Sequence, residues 1–236
     1  MRIIAIGDIH GRSIWKQIVA SEKFDKIVFV GDYFDSHEEI SALEQISNFK
    51  EIMDFKNKNP HKVALLVGNH DFHYMRGIND RYSGFQAVNQ HDISSLIQEA
   101  LNNNLLQMCY TYENMLFSHA GITKTWLNNV GYKGDESLDV FVNGLFKCQP
   151  SAFKFTKGIN NDPYGDDITQ PPIWVRPQSL LHDMVDGYVQ VVGHTYKKNI
   201  VQFEDAIFID TLGESQEYLI WDNFNVLIGK IKNQTT

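Results

Sequence analysis

Ile3-Ile4-Ala5-Ile6-Gly7-Asp8-Ile9-His10-Gly11, Ile27-Val28-Phe29-Val30-Gly31-Asp32-Tyr33-Phe34-Asp35 and Val63-Ala64-Leu65-Leu66-Val67-Gly68-Asn69-His70-Asp71 decide the fold. Each is a short apolar run that ends on glycine and then on polar residues able to bind a metal. Runs of this length, bounded by turn residues and rich in β-branched side chains, read as strands buried on both faces. After the first, Ile14, Trp15, Ile18 and Val19 fall at helical spacing. After the second, Ile40, Leu43, Ile46, Phe49, Ile52, Met53 and Phe55 continue a longer amphipathic stripe, stopped by the segment from Lys56 to Pro60. This β-α-β-α-β order predicts parallel strands joined by right-handed crossovers. Parallel strands end on the same side, so Asp8, His10, Asp32 and Asn69 are expected at one rim.

Two further runs carry the same punctuation. Met115-Leu116-Phe117 leads into Ser118-His119-Ala120-Gly121, and Tyr188-Val189-Gln190-Val191-Val192 leads into Gly193-His194-Thr195. Elsewhere in the second half, short apolar runs flank polar pairs at Glu113-Asn114, Glu204-Asp205 and Asp222-Asn223, a pattern of antiparallel hairpins. The parallel half and the hairpin half are expected to form two mixed sheets packed face to face with helices outside. The fold class predicted is α/β, a four-layer α/β/β/α sandwich in one domain over residues 1–236. Between about residues 131 and 179 the periodicity weakens among scattered Gly, Asn, Asp and Pro. That stretch reads as a loop-rich insertion over the rim, with a helix around Leu138 to Phe146.

A chain of 236 residues suits this single-domain reading. Its hydrophobic content of 43% and charged content of 21% are ordinary for a globular protein. The net charge of −8 argues against nucleic acid as a partner, because such binding rests on neutralised phosphates. No apolar run approaches the roughly 20 residues that cross a bilayer. The N-terminal run leads straight into a functional motif, which argues against a cleaved signal peptide. Cys109 and Cys148 make no disulfide framework and read as packing residues. A soluble, cytoplasmic protein is the expectation.

Asp8, His10, Asp32, Asn69, His119 and His194 together offer three imidazoles, two carboxylates and an amide oxygen, without a thiolate. Mixed N/O donors suit Mn, Fe, Zn or Mg rather than a Cys-rich structural zinc site. Six donors are too many for one catalytic metal that keeps an open position. They suit two metals if one carboxylate bridges, and Asp32 is the natural bridge because its strand is expected between the other two. Two divalent ions roughly 3.5–4 Å apart are an arrangement for phosphoryl transfer. Any one motif alone has a plainer reading: Gly-Asp as a turn, Asn69 as a helix cap, a lone histidine as a core residue. Five together at strand ends point to a metal site.

The five motifs, in order and spacing, resemble the calcineurin-like metallophosphoesterases over roughly residues 1–215. The resemblance is greatest to the phosphoprotein phosphatase branch, which includes protein Ser/Thr phosphatases, bacteriophage-type phosphatases and symmetrical bis(5′-nucleosyl)-tetraphosphatases. It implies that Asp8, His10 and Asp32 hold the first metal and that Asp32, Asn69, His119 and His194 hold the second. It implies two divalent ions per chain, Mn2+ being the first choice. His70 is then the general acid and Asp35 its orienting partner, with in-line attack by a hydroxide bridging the metals. The chemistry is consistent: a carboxylate behind an imidazole favours the imidazolium, which protonates a departing alkoxide.

The family pattern usually places an arginine after the second aspartate of the second motif. Ser36 stands there, followed by His37. Arg176, in Ile173-Trp174-Val175-Arg176-Pro177, is the better candidate phosphate contact, and Arg81, in the family-like segment from Asn79 to Phe85, is a second. His73 receives no role, and His61, His91 and His182 read as non-catalytic. The expected partner is a phosphorylated protein or a small-molecule phosphate ester, hydrolysed by a Ser/Thr protein phosphatase-like phosphomonoesterase. Hydrolysis of dinucleoside polyphosphates is the alternative. A nuclease and a catalytically silent binding scaffold are weaker readings.

Overall fold

A computed structural model describes residues 1–78 and 80–231. The first half alternates strand and helix: β1 (Arg2–Ile6), α1 (Trp15–Ser21), β2 (Lys26–Phe29), α2 (Ala42–Lys58), β3 (Val63–Leu66), the single turn α3 (Asn69–Phe72), α4 (Gln90–Asn102) and β4 (Leu106–Gln107). Then come the hairpin β5 (Cys109–Tyr112) and β6 (Met115–Ser118), followed by α5 (Lys124–Asn129), α6 (Leu138–Cys148) and α7 (Pro177–Asp183). Five strands close the chain: β7 (Val189–Val192), β8 (Val201–Phe203), β9 (Ala206–Phe208), β10 (Glu217–Asp222) and β11 (Asn225–Lys230).

The strands form two mixed sheets, ordered β11-β10-β1-β2-β3-β4 and β5-β6-β7-β9-β8. β1 to β4 run parallel, as do β6, β7 and β9. Alternation along the strands builds the layers. Ile3, Ala5, Val28, Val30, Ala64 and Leu66 point into a core shared with Met115, Phe117, Val191 and Ile207 of the other sheet. Ile4, Ile6, Ile27, Phe29, Val63 and Leu65 point the opposite way, onto Trp15, Ile18, Phe49, Ile52 and Ile97 of the helices. On the far side of the second sheet, Val192 and Phe208 pack against Leu180 of α7. The four layers are therefore helix, sheet, sheet, helix, as the sequence predicts. Truncating Phe117, fully buried between the sheets, to alanine would cost about 3–5 kcal/mol.

Local signals set the longest helix. Ser41 caps α2 through a reciprocal box: its hydroxyl accepts from the Glu44 backbone N–H at 3.3 Å, and Glu44 Oε2 accepts from the Ser41 N–H at 2.8 Å. Lys56 and Lys58 complement the dipole at the other end, just before Pro60.

Three details differ from the sequence reading. The hairpin β10–β11 does not join the second sheet; β10 pairs antiparallel with β1. It covers the free edge of β1, whose backbone groups would otherwise be buried without partners. The second sheet is built around parallel neighbours rather than hairpins alone. Cys148 is exposed at the end of α6, whereas Cys109 is buried, and both are free thiols. In the segment 131–179, α6 realises the helix expected near Leu138, and α7 starts at Pro177, a residue suited to a first helical position.

Candidate metal centre

The loops after β1, β2 and β3 are fastened to one another before any ligand is considered. The Ile9, His10 and Gly11 N–H groups donate to the Gly31, Asp32 and Tyr33 carbonyls at 3.3, 2.6 and 3.0 Å. The buried carboxylate of Asp71 accepts from the Asp32 and Tyr33 N–H groups at 2.8 Å each and from the Gly68 N–H at 2.9 Å. That support holds strained backbone. His10, Asp32, Asp35 and His194 all have left-handed φ values, of 42°, 51°, 60° and 63°. Such a conformation costs a non-glycine residue roughly 1–2 kcal/mol. Four such residues at one rim mark a place where side-chain aim takes precedence over backbone comfort.

The glycines of the punctuation have a steric cause. A β-carbon at Gly68 would overlap the Asp32 carboxylate, and one at Gly193 would overlap that of Asp8. Each leaves space for an acid from a neighbouring loop.

The predicted ligands converge around Asp32. His10 Nδ1–H donates to the Phe34 carbonyl at 2.7 Å, and His119 Nδ1–H donates to the Val30 carbonyl at 2.9 Å. Both rings thereby keep a bare Nε2. Asp32 Oδ2 lies between them, 3.8 Å from His10 Nε2 and 3.4 Å from His119 Nε2. Asn69 Oδ1 lies 2.9 Å from His119 Nε2 and 2.9 Å from His194 Nδ1. Asp8 closes the set, receiving the His194 N–H at 3.0 Å on Oδ2.

These spacings suit metal ions. Donors about 2.1 Å from a common cation sit roughly 3.0 Å apart at a right angle and 3.4 Å apart at a tetrahedral one. With the His119 proton committed to Val30, Nε2 and Asn69 Oδ1 are two acceptors facing each other, which a nearby cation would reconcile. His194 Nε2 is buried with no hydrogen-bond partner among the described residues. The electrostatics agree. Burial, and then the charges of Asp210 and Asp32, push the Asp8 carboxyl well above its usual range. Burial, and then Asp32, push Asp210 up to about 6. Burial pulls His10 down to about 4, so the ring is neutral and able to ligate. Asp8, Asp32 and His119 are mutually close enough to share an ion.

A second cluster adjoins the first. His70 Nδ1 lies 3.0 Å from Asp35 Oδ2, and the His70 and His10 rings meet edge-on at 5.4 Å. Burial opposes charge on His70, but Asp32 and Asp35 outweigh it, and its pKa is raised. Asp35 is buried and accepts from Tyr74 Oη at 2.6 Å and Gln86 Nε2 at 3.1 Å. Burial raises its pKa, but His70, His73 and Tyr74 together hold the carboxyl below the usual range.

The arginines divide. Arg176 Nε donates to the Tyr164 carbonyl at 2.8 Å, and Nη1 lies 3.3 Å from Thr195 Oγ1 and 3.4 Å from the His194 carbonyl. Burial lowers its pKa, while Asp32 and Asp8 are among the charges that restore it. It belongs to the rim. Arg81 is exposed, its guanidinium 5.1 Å from the Phe85 ring centre, and Asn79 of the same segment lies outside the described residues. Ser36 Oγ accepts from the Glu38 N–H at 3.1 Å. His37 is exposed, with ring centres 6.1 Å from His10 and 6.4 Å from His70.

Sequence reasoning passed over several residues here. His73, Tyr74 and Gln86 bear on Asp35, Asp71 ties the loops, Asp210 adds a buried acid, and Arg12 Nη1 donates to the Asp8 carbonyl at 3.2 Å. Two had a local signal: His73 stands three residues after His70 and so on one side of a helical turn, and Asp71 ends the third strand-end motif.

No curated protein sequence matches this chain closely enough to count as a relative. Among solved structures, a cold-active protein tyrosine phosphatase superposes with a TM-score of 0.58 at 19% identity, covering 97% of this chain and 76% of that one. A Saccharomyces cerevisiae protein serine/threonine phosphatase with similarity to human PP5 gives 0.56 at 15% identity, covering 100% and 81%. Identities this low speak for the fold alone. The family of calcineurin-like phosphoesterases matches residues 1–198, and the chain belongs to it: a metal-dependent phosphoric ester hydrolase whose family implies a dinuclear divalent metal site.

Proposed function

We propose that this chain is a phosphomonoesterase of the Ser/Thr protein phosphatase type, with Asp8, His10 and Asp32 holding one metal and Asp32, Asn69, His119 and His194 the other. The observation that carries the reading is the position of Asp32 Oδ2, 3.8 Å and 3.4 Å from two bare imidazole nitrogens. When bound, a divalent pair supplies Lewis acidity and an acidified water; Mn2+ is the ion proposed. The rest falls to the chain. Arg176 offers a guanidinium to the phosphoryl oxygens, where Ser36 leaves none. His70, protonated and backed by Asp35, gives its proton to the departing alkoxide of a serine or threonine. Asp35 keeps that proton donor in one orientation.

A monoester is favoured by the aromatics beside the metal ligands. Trp174 lies 5.9 Å from His194, but it is packed against Tyr82 at 4.3 Å and offers little open face to a base. The dinucleoside polyphosphate reading keeps one observation in its favour. Tyr164, whose carbonyl anchors Arg176, is 76% exposed, and an open ring there suits stacking.

The test is a Mn2+-supplemented comparison of specificity constants for p-nitrophenyl phosphate, a phosphoserine peptide and diadenosine tetraphosphate. Preference for the two monoesters is expected. Preference for the dinucleotide would transfer the assignment to the alternative, and metal-loaded protein inert on all three would remove both. Among the described residues no helix is long and apolar enough to cross a membrane.

A further inference from the structure

His73 has no part in the roles above. It is buried at the C-terminal end of α3. Its Nε2 lies 2.7 Å from Asp35 Oδ2, the same oxygen that His70 Nδ1 reaches at 3.0 Å. The other nitrogen, Nδ1, receives the Tyr82 backbone N–H at 3.3 Å. A backbone N–H only donates, so Nδ1 is bare and the proton of the ring sits on Nε2. Nε2 therefore faces Asp35 as a donor. The approach is off the N–H axis, which makes the contact electrostatic rather than a linear hydrogen bond. Asp35, His70 and His73 lie close enough together to hold an ion, but this tautomer removes His73 from any ligand set.

The ring itself is pinned. It stacks on Tyr82 at 5.5 Å and meets Phe85 and Tyr74 edge-on at 5.0 and 4.4 Å. Asp35 thus has two imidazoles on Oδ2, and on Oδ1 it has the Tyr74 hydroxyl and the Gln86 amide. A carboxylate offers about four acceptor sites. Three of its contacts are hydrogen bonds and the fourth, from His73, is electrostatic, so the group is held from both oxygens.

We propose that His73 is a positioning residue for the general acid: it fixes Asp35 Oδ2 so that the carboxylate holds His70 in one orientation toward the leaving group. This rests on the acid role proposed for His70. The consequence is selective. A p-nitrophenolate departs without much help, whereas a serine alkoxide needs a proton in flight.

Two variants separate positioning from packing. His73→Phe keeps the aromatic ring and removes the N–H. His73→Gln places an amide N–H where Nε2 stands. With Mn2+ present, His73→Phe is expected to lower kcat on a phosphoserine peptide by about 10-fold with KM unchanged, and to change p-nitrophenyl phosphate turnover by less than about twofold. His73→Gln should recover most of the loss. In a His70→Asn background, His73→Phe should add less than about twofold. Equal losses on both substrates, no loss on the peptide, or no recovery with glutamine in folded protein would each overturn the proposal. Long-range proton–nitrogen spectra of metal-free protein give a check independent of turnover: His73 is expected as the Nε2–H tautomer, and the Nδ1–H form would refute the arrangement. Wild-type protein inert on both substrates would instead defeat the phosphomonoesterase reading.

Discussion

On one side of the rim, His119 Nε2 and Asn69 Oδ1 face each other at 2.9 Å with no proton between them, His10 Nε2 is bare, and His194 Nε2 has no partner among the described residues. On the other, Asp35 meets four donors on its two oxygens. The first half is unfinished as protein and calls for cations. The second is complete without them. The proposed mechanism draws on both conditions: an electrophilic half that accepts ions and substrate oxygens, and a proton-donating half whose geometry is set before either arrives. The boundary runs between adjacent residues, Asn69 on one side and His70 on the other.

The largest effect should come from Asp32→Asn, which acts on the unfinished half at its shared point. Bound metal should fall from about two ions per chain, and turnover on every ester should drop by ~10⁴-fold. Full metal content in that variant, read by elemental analysis, would remove Asp32 from the bridge.

His70→Asn probes the finished half. Turnover of a phosphoserine peptide should fall by about 10²–10⁴-fold while metal content stays at the wild-type level. Equal activity on the peptide would end the general-acid assignment. Arg176→Ala should be milder, raising KM for monoesters by about 10-fold, within the range of a lost charge-assisted hydrogen bond. An unchanged KM would return Arg176 to a structural role.

The pH dependence sharpens the contrast further. Burial opposes charge on His70, and Asp32 and Asp35 raise its pKa in the metal-free protein; Asp35, which takes no part in the proposed metal set, is the partner that keeps the ring protonated once Asp32 holds cations. Alkyl-ester turnover should decline as pH rises through that raised value, with a weaker decline on p-nitrophenyl phosphate. Identical alkaline limbs for the two substrates would show that something other than His70 sets the profile.

Much of the proposed metal half was legible in the sequence, because each proposed ligand follows a strand whose apolar run announces it. Asp8, Asp32, Asn69, His119 and His194 are placed by strand ends, and parallel order alone brings three of those loops to one rim. The finished half was legible only to Asp35 and His70. Gln86 reaches Asp35 across 51 positions of chain, and Tyr74 and His73 do so from beyond a single helical turn. No periodicity announces such contacts; they follow from how the loop after α3 packs. The placement of β10 beside β1 was hidden for a similar reason, since a hairpin's two strands say nothing of which sheet edge will receive them.

Gly68 and Gly193 carry no side chain that could ligate, yet each leaves open the space that a carboxylate from another loop fills. In a mutational screen for lost metal, they should behave as ligands do, with alanine as damaging there as at the carboxylates themselves. A map of essential positions drawn from such a screen would then outline the space around the ions as well as their coordination.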